Sequence, residues 1–113
     1  MTKYLISFPS AAMLVPAREL PAVSDASRAV VQEAKDAGAW VFGGGINEGV
    51  PSVMVTADGT ATEGTYPQTR LLNGGFAVLE LPTREAALHW AARFATACRC
   101  AQEVREFFYD PAS

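Results

Sequence analysis

Only two stretches of this chain repeat apolar residues at helical spacing, while at least four alternate or run apolar as strands do. That imbalance limits what the chain can fold into. The first helical stretch, VSDASRAVVQEAKDAG, spaces Val23, Ala26, Val30, Ala34 and Ala37 along one face. Ser24 suits the N-cap, Asp25 the positive end of the helix dipole and Gly38 the position past the C-terminus, which predicts a helix over 23–37. The second follows Pro82, with Thr83 as N-cap and Ala87, Leu88, Ala91, Phe94, Ala95 and Cys98 as its apolar stripe. Strands are expected at 3–8, where Tyr4, Ile6 and Phe8 alternate with Lys3, Leu5 and Ser7, and at 39–45, 52–57, 76–81 and 102–109. Asp58-Gly59 is a tight-turn dipeptide, across which 60–66 pairs back. Residues 9–22, with Pro9, Pro16 and Pro21, read as a connection.

The order β-α-β-β-(β)-β-α-β in 113 residues predicts one α+β domain over 1–113, a ferredoxin-like βαββαβ protomer. Two helices cover one face of its sheet. Several strands are nevertheless apolar on both faces, as Leu5 beside Tyr4 and Ile6, Val78 beside Ala77 and Leu79, and Phe107-Phe108 show. A face so apolar calls for a cover, and the economical one is a second copy. The expectation is a homodimer closing an α+β barrel.

Composition removes other classes. The formal net charge of -3 opposes a general nucleic-acid binder, which shows a basic face. No apolar run approaches the ~20 residues that span a bilayer. The apolar run after Lys3 is stopped by Pro9, too soon for a signal peptide, so a cytoplasmic location is expected. Cys98 and Cys100 are too few for a disulfide framework. With His89 the only histidine, they form no zinc ligand set, and no metal or cofactor is expected. GGGINEG, residues 43–49, has Glu48 where a dinucleotide fingerprint needs its third glycine, and a strand follows instead of a helix. Its glycines permit a bulge or a close approach, or line a cleft with bare backbone; on the last reading Gly44 and Gly45 are ligand-binding candidates.

The stretch TEGTYPQTRLLNGGF, residues 62–76, gathers a carboxylate, a phenol and a guanidinium between turn-formers. Glu63 is the candidate general base, and Tyr66, Gln68 and Arg70 are candidate ligand-binding groups of a cleft near 63–70. His89 sits with Arg93 and Thr96 on the solvent side of the second helix, and one histidine there assembles no Ser-His-Asp set.

These residues also carry a resemblance. Glu63-Gly64-Thr65-Tyr66, then Pro67-Gln68-Thr69-Arg70, then Gly74-Gly75-Phe76 resemble the signature of the DGPF branch of the YCII-related family. Glu63 stands for the signature's Asp and Thr65-Tyr66 for its Pro-Phe. The flanks agree: Ala37-Gly38-Ala39 with Gly43-Gly44-Gly45, then Glu85 to Ala92, then Gln102 to Arg105. The resemblance spans nearly the whole chain. It implies a dimeric α+β barrel with a ferredoxin-like protomer and a function that is mostly unsettled within the family. One branch holds enzymes, such as a dehydrochlorinase of chlorinated aromatics, that use a His–Asp pair; this chain has no histidine in its first half. Other members are encoded beside extracytoplasmic-function sigma factors. Three readings follow: a homodimeric small-molecule-binding protein, a cofactor-independent enzyme of lyase or dehalogenase type acting on a small aromatic or acidic compound, and an accessory module for such a sigma factor.

Overall fold

In the computed structural model, which describes residues 1–113, the two most apolar strands are central. β1 (Thr2–Phe8) and β5 (Gly75–Leu81) pair antiparallel, from Thr2 opposite Leu81 to Phe8 opposite Gly75. β2 (Trp40–Gly45) flanks β5 and β6 (Glu103–Glu106) flanks β1, giving the order β2-β5-β1-β6 with every pairing antiparallel. The helices α1 (Leu20–Asp36) and α2 (Arg84–Cys98) lie on one face, α1 toward β2 and α2 toward β5 and β6. Tyr4, Ile6, Leu79 and Leu81 meet Val30, Ala34, Ala91 and Phe94 in a single core. Ile6 and Leu79 are fully buried, each contributing about 1.5–3 kcal/mol by leaving water. The mixed α+β class expected from the sequence is the class found.

Local chemistry explains the helix ends. Thr83 Oγ1 accepts from the Ala86 N–H at 3.1 Å, the N-cap that its position predicts. Gly38, at φ 72°, closes α1: its N–H donates to the Lys35 carbonyl and the Ala39 N–H to that of Ala34, each at 3.0 Å. The start of α1 differs from expectation. The helix begins at Leu20 rather than 23, because Pro21 falls in the first turn, where a missing N–H costs nothing. Ser24 is therefore inside the helix and caps nothing; its carbonyl accepts from the Ser27 hydroxyl.

The apolar stripe of α2 also needs correction. Ala87, Ala91, Phe94 and Cys98 are buried as expected, but Leu88 is 44% exposed, Ala95 only half-buried, and Ala97 buried. The cause is α1. Glu33 of α1 pairs with Arg93 of α2, so α1 lies along the Trp90–Arg93–Ala97 side of α2 and covers that flank. Leu88 and Ala95 lie one helical stripe away, on the uncovered side. The last strand is shorter than 102–109: after Glu106 only the Phe107 N–H still donates to β1, at the Lys3 carbonyl.

The other face of the sheet carries no helix. Leu5, Phe76 and Val78 point there, and Val41 and Phe42 stand together opposite Val78, because the register of β2 slips by one residue between Trp40 and Phe42. Phe42 is 65% exposed. The Lys3–Glu80 and Arg105–Glu103 ion pairs frame this apolar patch.

β3 (Val53–Val55) and β4 (Ala61–Glu63) form a separate two-stranded ribbon, Val53 opposite Glu63, around the Asp58-Gly59 turn. The pairing across that turn is as the dipeptide predicts. The ribbon contributes nothing to the core. Asp58 anchors its turn, accepting from the Thr56 hydroxyl at 2.6 Å and the Thr60 N–H at 2.9 Å. These two hydrogen bonds hold its carboxyl down at about 2, below the ordinary 3.8.

Two predictions follow from these contacts. A Cβ at Gly74, where φ is 90°, would stand 1.9 Å from the Phe8 carbonyl oxygen. Gly74→Ala is expected to cost well over ~1 kcal/mol in urea unfolding, since strain and overlap add; wild-type stability would refute the close approach. A depressed carboxyl contributes above its unfolded value and ceases to as pH falls through its folded one. The Asp58 turn is thus intact above pH 3.8 and loosens toward about 2. The Thr60 amide should lose exchange protection in that window, and an unchanged amide at the acid end would contradict the anchor.

Candidate functional site

The helix-facing positions of β2 and β5 lose their side chains toward one end of the sheet. Trp40 and Leu79 are paired and large, but beyond them come Gly43 opposite Ala77 and Gly45 opposite Gly75. Under α1 this leaves space that no Cβ fills. The result is a groove of about 640 Å³, walled by α1, floored by the sheet and reaching Phe94 and Cys98 of α2. That is within the range of small-molecule sites. Two aromatic rings line it, each seated on a glycine. Trp40 lies against Gly43, where a Cβ would stand 2.4 Å from its ring, and Phe8 lies against Gly75, where a Cβ would stand 2.8 Å away. The glycine run therefore does two things that glycine alone allows: it opens the groove and it lets aromatic side chains rest on bare backbone.

The polar lining is one-sided. None of the nineteen residues around the groove is acidic, and two are cationic, Arg28 and Lys35 of α1. Neither takes part in an ion pair; the four pairs of the chain use Lys3, Arg93, Arg99 and Arg105. An adjoining recess of about 300 Å³ holds one carboxylate, Glu48, whose Oε2 accepts from the Ser10 hydroxyl at 2.5 Å. That bond straps the segment after β1 to the loop after β2. Cys98 lies at the groove, but burial pushes its thiol up, so it stands as a protonated, weakly nucleophilic group. No three His, Cys, Asp or Glu side chains come together to hold a metal.

The residues singled out from the sequence fall into two places. Gly44 and Gly45 line the groove. Glu63, Tyr66, Gln68 and Arg70 do not. Glu63 ends β4 and is exposed, Tyr66 is 67% exposed, and Gln68 and Arg70 lie exposed in and just after a 3-10 turn at Pro67–Thr69. Glu63 and Arg70 make no ion pair with each other or with any other group. Tyr66 alone of the four borders a shallow depression of about 250 Å³, against Met54 and Gly64. The structure thus separates the two glycines from the polar loop. His89 and Thr96 are exposed, as expected from their helix positions, but Arg93 is half-buried because it pairs with Glu33 of α1; His89 also meets the edge of Trp90.

Sequence reasoning passed over Phe8, Arg28, Lys35 and Trp40. The signal for the cations was weak: Arg28 and Lys35 are exposed, and only Val31, half-buried between them at i+3, ties that stripe of α1 to the groove. Trp40 three residues before Gly43 was the matching signal on the sheet.

No protein-family model matches the chain, and no curated protein matches it.

Gly43→Ala tests the floor of the site. The added Cβ would collide with the Trp40 ring and stand 3.0 Å from the Phe76 carbonyl oxygen. Trp40 must then move into the groove, at a cost of about 1–3 kcal/mol. Urea unfolding should report the loss and tryptophan emission the displaced ring; wild-type values for both would refute the packing.

Proposed function

We propose that this chain is a homodimeric small-molecule-binding protein of the YCII-related kind, a ferredoxin-like protomer of a dimeric α+β barrel, whose site is the groove between α1 and β2. The observation that carries the reading is the groove itself: about 640 Å³ of space, kept open by Gly43, Gly45 and Gly75 and walled by Trp40 and Phe8. The Trp40 and Phe8 rings cover Gly43 and Gly75, but Gly45 is left bare and the rings present an open apolar wall, which a bound molecule would pack against.

The strand order β2-β5-β1-β6 supports the ferredoxin-like part of the reading, with the β3–β4 ribbon as an insertion. The uncovered sheet face supports the dimer. Its centre is Leu5, Phe42, Phe76 and Val78, its rim is the two ion pairs, and apolar centre with polar rim is the anatomy of an interface. Glu63 lies outside the groove, so the proposal places no proton transfer on it.

A thermal-shift screen of small organic molecules, with mass read by light scattering, tests both parts. A ligand at about 100 times its Kd adds roughly 2.7 kcal/mol to the native state. Gly45→Leu should abolish every hit, because a Cβ fits at Gly45 and the rest of the side chain then occupies the groove. Hits indifferent to Gly45→Leu would move the site elsewhere. The mass should be that of two chains, falling to one in Phe42→Asp; a monomeric wild type at micromolar concentration would remove the dimer.

A further inference from the structure

Charge and shape in the groove together name a class of ligand. Arg28 and Lys35 are seven residues apart on α1, which puts them on one stripe and about 10 Å apart along the axis. Val31 lies between them and also lines the groove. The acidic groups of α1 are engaged or turned elsewhere: Glu33 pairs with Arg93, Asp36 accepts from Gln32, and Asp25 lies outside the lining. Glu48, in the neighbouring recess, is held by Ser10. In a chain of net charge -3, two exposed cations that form no ion pair therefore stand at the rim of a mainly apolar groove whose lining holds no carboxylate. Long-range attraction would not concentrate an anion on this protein; local pairing in the groove would.

We propose that the groove binds an organic carboxylate with a flat apolar body, the carboxylate meeting the cationic pair on α1 and the body lying against Trp40 and Phe8. This rests on the reading of the groove as a binding site. Arg28 offers the planar fork that matches a carboxylate, and Lys35 a mobile point charge that reaches toward the same group along the stripe. Trp40 and Phe8 are seated on Gly43 and Gly75 at the sheet floor, which gives the body aromatic surface rather than a polar cage. A free inorganic anion would satisfy the cations and leave the apolar wall uncovered. A neutral aromatic would cover the wall and leave the cations without a partner.

The test uses 2-naphthoate, its neutral counterpart 2-naphthamide, and inorganic phosphate, each titrated at up to millimolar concentration into the full chain. The readout is the indole N–H resonance of Trp40, distinguished from that of Trp90 by Trp90→Phe. The expected result is a saturable Trp40 shift with naphthoate, binding at least tenfold weaker with the amide, and no displacement of naphthoate by equimolar phosphate. Arg28→Gln and Lys35→Gln should each weaken naphthoate several-fold while leaving the amide's weaker binding unchanged, which also shows that the variants are folded. If amide and carboxylate bind alike and both variants are indifferent, the groove is a binding site without anion selectivity: the ligand class fails and the reading of the groove survives. Phosphate that competes on equal terms would likewise overturn the class, because charge alone would then suffice. A Trp40 signal that no probe moves overturns the class and the groove together.

Discussion

Everything in this fold depends on two helices having to cover a four-stranded sheet. They succeed on one face only because their contact surfaces are small. Ala87, Ala91 and Ala97 of α2 and Ala34 of α1 let the helices lie close over Ile6 and Leu79, with Phe94 the one large buried side chain of the α2 surface and Trp90 half-buried beside it. The Glu33–Arg93 pair then ties them side by side. Two consequences follow. The opposite face is left with Phe42, Phe76 and Val78 uncovered. And α1, paired with α2, does not fill the space above the β2 edge, where the sheet supplies glycine and alanine with the Trp40 and Phe8 rings beside them.

The groove is therefore a packing property before it is a chemical one. In most cores, side chains from both layers close such a space, because a void forfeits dispersion contacts on all its walls. Here Gly43 opposite Ala77 and Gly45 opposite Gly75 make two successive helix-facing pairs at one end of β2 and β5. Trp40 and Phe8 lean onto two of those glycines and close part of the space. What stays open is edged by the cations of α1. The one-residue slip after Trp40 matters as well. It keeps Trp40 on the helix side while sending Val41 and Phe42 together to the other face. One irregularity thus shapes both the groove and the uncovered patch.

Legibility in the sequence tracked the range of the interaction. The Thr83 cap, the Gly38 terminus and the Asp58-Gly59 turn are contacts within a few residues, and each was readable as such. The start of α1 was not, because a proline in the first turn suits a helix as well as a connection. The exposed Leu88 was not, because which flank of α2 is covered depends on where α1 lies. Gly44 and Gly45 came forward on only one of the readings of the glycine run, beside a bulge or a close approach, and they lie along the groove. The polar loop at 63–70 stood out for its composition, but its side chains lie on the surface after a ribbon that never joins the main sheet.

By itself the sequence determined the two helices, the strands, their turns and the α+β class, since periodicity and capping are local and survive whatever the neighbours do. It also determined that one face of the sheet would lack a helical cover, which follows from counting. The tertiary structure alone decided where the empty space falls and what borders it. Arg28 and Trp40 are twelve residues apart and on different elements. They share a groove only because α1 folds back over β2, and because the glycines opposite leave the space beside the Trp40 and Phe8 rings open. A site made of absent side chains has no signature of its own until the elements around it are in place.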